Sequence, residues 1–112
     1  MAHFLVYTSR GSESVATGIA PFYFAKGILE AGHTAEIWLI GDATYLVKET
    51  GLSDVRMLMN EVARQGVNIM VLDTSGSWRD VQPEDLRKKN AKFGTTRMFA
   101  EAVLAADKVV GF

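Results

Sequence analysis

Whatever chemistry this sequence holds is concentrated in three polar stretches: Ser9-Arg10, Gly41-Asp42, and the run from Asp73 through Thr74, Ser75, Gly76, Ser77 and Trp78 to Arg79. Two guanidinium groups, several hydroxyls and an indole suit a small anionic or amide-bearing ligand, since arginine offers paired donors and the indole a flat apolar wall. Asp73 directly follows a run of buried character, so a second chemistry is open to it. As a partly desolvated carboxylate it would serve as acid or base on a small anionic substrate held by Arg10 or Arg79. Plainer roles stand beside these. Arg10 and Arg79 also fit solvated loop charges or partners of Asp42, Asp73 and Asp80, and Thr74, Ser75 and Ser77 fit turn caps. Trp78 fits packing against a neighbouring subunit as well as it fits a ligand.

The totals remove several classes of function. With 12 basic and 13 acidic residues and a net charge of −1, the chain lacks the electrostatic footprint of a nucleic-acid or anionic-membrane binder. It has no cysteine, which excludes disulfides, thiolate metal sites and thiol nucleophiles. No cofactor or metal site is expected, because no nucleotide-binding glycine motif and no cluster of ligands at metal spacing occurs. His3 and His33 precede strands and fall on the edge away from the polar loops, so a Ser-His-Asp arrangement is not expected there and both are read as structural. The brief run at Lys88, Lys89 and Lys92 is read as a solvated face. No leader or membrane-spanning stretch is apparent, and a cytoplasmic protein is expected.

The polar stretches need elements to bring them together. Residues 4–8, 34–40, 67–72 and 108–112 read as strands, the third a nearly unbroken apolar run ending at Asp73. Between them lie helical stretches. One spans residues 14–31 and contains Pro21, which either kinks it or begins its main part, with Phe22, Phe24, Ala25, Ile28 and Leu29 inward. A short helix or turn around residues 45–47 ends at Gly51. The clearest helix, capped by Ser53, repeats Val55, Leu58, Met59, Val62 and Ala63 at three and four residues. Residues 73–80 read as a loop, and Pro83-Glu84-Asp85 starts a short helix. Thr95 or Thr96 caps the last helix, through Met98, Phe99, Ala102, Val103 and Ala106.

Alternation of this kind predicts an α/β domain spanning residues 1–112, with a mostly parallel sheet of four to five strands between helical layers. At 112 residues one core is expected, burying about 65% of the unfolded surface. In such a sheet the loops after each strand share one edge, where ligands bind. The candidate ligand-binding set is therefore Ser9, Arg10, Asp42, Asp73, Thr74, Ser75, Trp78 and Arg79. Hydrophobic residues make up 48% of the chain, more than a small monomer comfortably hides, so a homo-oligomer is expected.

The succession of Val6-Tyr7-Thr8-Ser9, Ala31-Gly32-His33-Thr34-Ala35-Glu36-Ile37-Trp38-Leu39, Gly41-Asp42, Gly66-Val67, Arg79-Asp80-Val81, Glu84-Asp85-Leu86 and Ala106-Asp107-Lys108-Val109-Val110-Gly111-Phe112 resembles the DsrE-like family over essentially the whole chain. The resemblance implies a three-layer α-β-α fold of flavodoxin-like winding, assembled as trimers or hexamers. It also implies kinship with the sulfur-relay subunits of the DsrE, DsrF and TusD kind. Those relatives carry a persulfide on a cysteine at or just beyond the end of strand three, and a related pattern reads Cys-x-x-Cys followed by a basic residue. In this chain the two cysteine places fall on Leu72 and Ser75, and Arg79 matches the basic position. Leucine cannot form a persulfide, and an unactivated serine hydroxyl cannot replace a thiolate in sulfur exchange. A non-catalytic binding protein accessory to sulfur metabolism is then expected, with DsrE-like partner subunits and a small ligand as its companions.

Overall fold

The computed structural model describes residues 1–11, 15–48 and 53–112. Its strands are β1 (His3–Thr8), β2 (Thr34–Leu39), β3 (Asn68–Leu72), β4 (Ala91–Gly94) and β5 (Lys108–Gly111). The helices are α1 (Val15–Glu30), α2 (Ser53–Arg64), α3 (Asp73–Trp78), α4 (Pro83–Lys88) and α5 (Thr96–Ala105), with a 3₁₀ segment at Gly41–Val47. All five strands pair in parallel, in the order β4-β3-β2-β1-β5.

That order decides the layers. From β1 to β4 each right-handed crossover steps the same way, so α1, the 3₁₀ segment, α2, α3 and α4 lie over one face of the sheet; the return to β5 carries α5 over the other. The first face holds the main core. Val6, Ile37, Leu39, Ile69 and Val71 project from alternate strand positions against Phe22, Ala25, Val55, Met59 and Val62. The second face is thinner. Phe99 of α5 rests on Trp38 with ring centroids 4.9 Å apart and meets Tyr7 edge-on at 6.3 Å, but no residue of α5 is fully buried.

Several expectations hold in detail. Val55, Leu58, Met59 and Val62 are buried in α2, Gly32 and Gly66 stop their helices at positive φ, and the Thr95 side chain accepts from the Met98 N–H at the start of α5. At α4 the expected proline start is completed by a reciprocal cap between Gln82 and Asp85. The expected helix end at Gly51 lies outside the described residues, as does the side chain of Ser53.

Four details differ, the first being Phe24, expected inward but 37% exposed. Of the two places open to Pro21, the structure shows it inside α1 and not at the start of its main part. The turns before it are held by packing, with Ile19 against the core and Gly18 so close to Leu46 that an added Cβ would come within 3.3 Å of it; one lost backbone bond does not outweigh that. Residues 73–78, expected as loop, form α3, because Gly76 is buried where a Cβ would lie 3.1 Å from Phe93 and 3.4 Å from both Val71 and Val81. β4 is an edge strand missed in the pattern, too short and too polar to show a run. Finally, Lys89 is not on a solvated face: it is 2% exposed and its Nζ donates to the Val47 carbonyl at 3.2 Å.

Candidate functional site

The carboxyl ends of the strands share one edge, and the loops expected there do meet. Gly41, at φ 53, turns the chain out of β2 in a left-handed conformation that favours glycine. Its N–H donates to Ser75 Oγ at 3.0 Å, joining the β2 turn to the first turns of α3. Arg79 closes the same junction. Its Nε and Nη2 both donate to Asp42 Oδ1, at 2.9 and 2.8 Å, and its Nη1 donates to the Ser75 carbonyl at 3.1 Å. The guanidinium also lies 5.9 Å from the centre of the Tyr45 ring, a contact the sequence reading did not include. Ser9 borders this knot, since a Cβ on Gly41 would be 3.9 Å from it.

The other candidates are disposed differently. Asp73 Oδ1 accepts from the Thr74 N–H at 2.7 Å within the first turn of α3. Thr74 is exposed. Arg10 is exposed, and its backbone N–H donates to Thr8 Oγ1 at 3.3 Å. Trp78 is 87% exposed and borders, with Ser77, a shallow hollow of about 280 Å³. Leu72 is half-buried at the end of β3. Ser12, part of the expected β1 loop, lies outside the described residues.

Of the candidate set, the structure thus joins Asp42, Ser75 and Arg79 in one hydrogen-bonded junction, with Ser9 at its border, and leaves Arg10, Thr74 and Trp78 facing outward. For Arg79, the ion pair with Asp42 foreseen as the plainer alternative is present. His3 and His33 lie at the amino edge, as expected. His33 packs against Phe4 and its Nδ1 accepts from the Ala2 N–H at 2.9 Å. His3 reaches both Thr34 and Glu36 across the sheet. Strand parity would have found this: His3, Thr34, Glu36 and Trp38 share one sheet face once β1 and β2 are set in register with His3 opposite Thr34. Among the described residues no group of three or more His, Cys, Asp or Glu could hold a metal ion, and no helix is long and apolar enough to cross a membrane.

Five parallel strands with one helix returning over the thin face define an α/β fold consistent with the DsrE-type resemblance. No family model matches the chain, and no curated protein matches it. Among solved structures it is similar to the YchN protein of E. coli, with a TM-score of 0.85 at 18% identity over 100% of both chains. It is also similar to BT1422, a conserved protein of unknown function from Bacteroides thetaiotaomicron, with a TM-score of 0.76 at 14% identity over 97% of this chain and 94% of that one. At those identities the likeness is one of fold.

Proposed function

We propose that the chain is a cysteine-lacking member of the DsrE-like family, a cytoplasmic oligomer that is non-catalytic at the family's sulfur place. It binds a small ligand or partner protein at the edge after β3 and serves sulfur metabolism without carrying sulfur itself. The observation that carries this reading is the junction at the family's expected sulfur place. Ser75 is a hydrogen-bond acceptor for Gly41, and Arg79 is tied to Asp42 and to the Ser75 carbonyl, so the groups are used to join loops. What remains for a ligand is the exposed rim of Arg10, Thr74 and Trp78, a cation, a hydroxyl and an indole, suited to an anionic group beside an apolar one.

The oligomer part of the reading is supported by exposed apolar surface. Trp78, Leu104 and Met57 are more than half exposed. Analytical ultracentrifugation of the purified chain at micromolar concentration is expected to show a trimer or hexamer; a stable monomer would remove this part of the proposal. For the site, Arg10→Ala and Trp78→Ala should each weaken capture of a DsrE-like partner subunit or of a sulfur-oxyanion probe at least tenfold. Capture unchanged in both variants would move the binding surface off this edge.

A further inference from the structure

A hydroxyl, an imidazole and a carboxylate line up across β1 and β2 at the amino edge of the sheet, far from the loops described above. Thr34 Oγ1 lies 2.7 Å from His3 Nδ1, and His3 Nε2 lies 2.8 Å from Glu36 Oε2. The other oxygen of Glu36 accepts from the Trp38 indole N–H at 2.8 Å, and Trp38 is itself buried between the sheet and Phe99. His3 is fixed at its backbone too, where its N–H donates to Asp107 Oδ2 at 2.7 Å and its carbonyl accepts from the Asp107 N–H at 2.9 Å.

The direction of this chain follows from the chemistry of its members. An ionised carboxylate only accepts, so the proton of a neutral imidazole sits on Nε2, facing Glu36, and Nδ1 presents its lone pair to the threonine hydroxyl. This is the arrangement of an activated nucleophile: hydroxyl on a base, and the base oriented by a third group that is itself held in place. Thr34 is exposed, so a substrate can reach its hydroxyl. Its weak alternative acceptor, the Ala2 carbonyl at 3.5 Å, does not compete with a 2.7 Å contact.

A second observation indicates what would be acylating it. On the same face a groove of about 370 Å³ runs beside α5, walled by Trp38, Met70, Met98 and Ala102, with Glu36 and Asn68 at its amino end and Glu101, paired with Arg97, on its α5 rim. Thr34 stands two residues before Glu36 on this face, roughly 7 Å along the strand. Asn68 has no side-chain partner among the described residues, which leaves its amide available to donate to a carbonyl oxygen at the mouth of the groove.

We infer that Thr34, His3 and Glu36 form a nucleophilic site for esters of short apolar acids, with the acyl chain lying in the groove beside α5. In the first step Thr34 Oγ1 bonds to the ester carbonyl carbon and its proton passes to His3 Nδ1. The adduct collapses with cleavage of the bond to the leaving oxygen, which departs with the electron pair and takes the proton from His3. Water then attacks the threonine ester by the same route, releasing the acid and restoring the hydroxyl. No oxidant or metal is required.

The test uses the full chain with p-nitrophenyl acetate and p-nitrophenyl butyrate, following p-nitrophenolate release and locating the acyl group by tandem mass spectrometry. Acyl-Thr34 that alkaline hydroxylamine removes is expected, with butyrate reacting faster than acetate. Thr34→Val, which keeps the side-chain shape, should abolish that adduct. His3→Ala should slow its formation about 100-fold, in line with loss of a general base, with recovery on adding imidazole. Acylation confined to lysines or the amino terminus, or equal rates in Thr34→Val and the parent, would overturn the inference. Circular dichroism of Thr34→Val separates a lost nucleophile from a lost fold, and an unfolded variant shifts the decision to the location of the adduct in the parent chain.

Discussion

Replacing Gly94 by alanine tests how the thin face of the sheet is packed. Gly94 ends β4 beside Trp38, and a Cβ there would lie 2.6 Å from Trp38 Cζ3 and 3.0 Å from Met70 Cε. Carbon atoms in comfortable contact sit about 3.5–4.0 Å apart, so the indole would have to retreat by roughly 1 Å. It has little room to do so, since its N–H is bonded to Glu36 and its ring lies against Phe99. Overpacking of this kind costs about 1–3 kcal/mol, and a clamped aromatic neighbour argues for the upper half of that range. For a domain of this size a loss of about 2 kcal/mol lowers Tm by roughly 8–10 °C. Urea unfolding followed by far-UV circular dichroism measures it without interference from the exposed Trp78. Gly27→Ala is the control: nothing lies within 4 Å of a Cβ there and the residue is helical, so it should stabilise by about 0.5–1 kcal/mol. If Gly94→Ala unfolds within about 0.5 kcal/mol of the parent, Trp38 is not packed as described.

A double-mutant cycle on Asp42 and Arg79 should give a coupling of only about 0.5–1 kcal/mol, shrinking at high salt, because the Asp42 side chain is 63% exposed. A coupling above about 2 kcal/mol that resists salt would mean that the pair is shielded, as a neighbouring subunit over this edge would do. Lys26 of α1 pairs with Glu61 of α2 at 3.0 Å, and its ammonium is held above its ordinary value first by that hydrogen bond and then by the carboxylate's charge. A raised lysine value means that the folded state holds the proton more tightly. Its contribution is therefore complete below 10.5 and is lost as pH rises through the raised value. The Tm difference between the parent and Lys26→Met should accordingly close in strongly alkaline solution, and a constant gap would contradict the assignment.

What could be read from the residues divides along physical lines. α2 was legible because Val55, Leu58, Met59 and Val62 face one core, so burial wrote its period directly into the sequence. β3 was legible because a strand covered on both sides needs apolar residues at nearly every position. β4 was not: Ala91, Lys92, Phe93 and Gly94 form a short edge strand with one neighbour, and Gly94 is there for want of space beside Trp38. α3 was hidden for a related reason. Asp-Thr-Ser-Gly-Ser is poor helix material, and its conformation comes from Gly76 fitting against Phe93, Val71 and Val81. The shared loop edge was legible from strand direction alone, whereas which groups there remain free depends on pairings that no local pattern encodes.

Those pairings separate meeting from availability. Parallel strands bring Ser9, Asp42, Ser75 and Arg79 to one edge, yet once there Arg79 is engaged by Asp42 and Ser75, and Asp73 by the N–H of Thr74. The edge that topology favours thus spends most of its polar groups on holding its own turns together. At the opposite edge the same registry has another result. Setting His3 against Thr34 and Leu5 against Glu36 aligns a hydroxyl, a base and a carboxylate on one face, and α5 leaves that face open enough for the hydroxyl to stay accessible. Disturbing the Trp38 packing should therefore register at both levels. Gly94→Ala, by pushing on the indole that holds Glu36, is expected to lower the rate of Thr34 acylation as well as the stability. Full acylation in a destabilised Gly94→Ala protein would show that Glu36 keeps its place without Trp38.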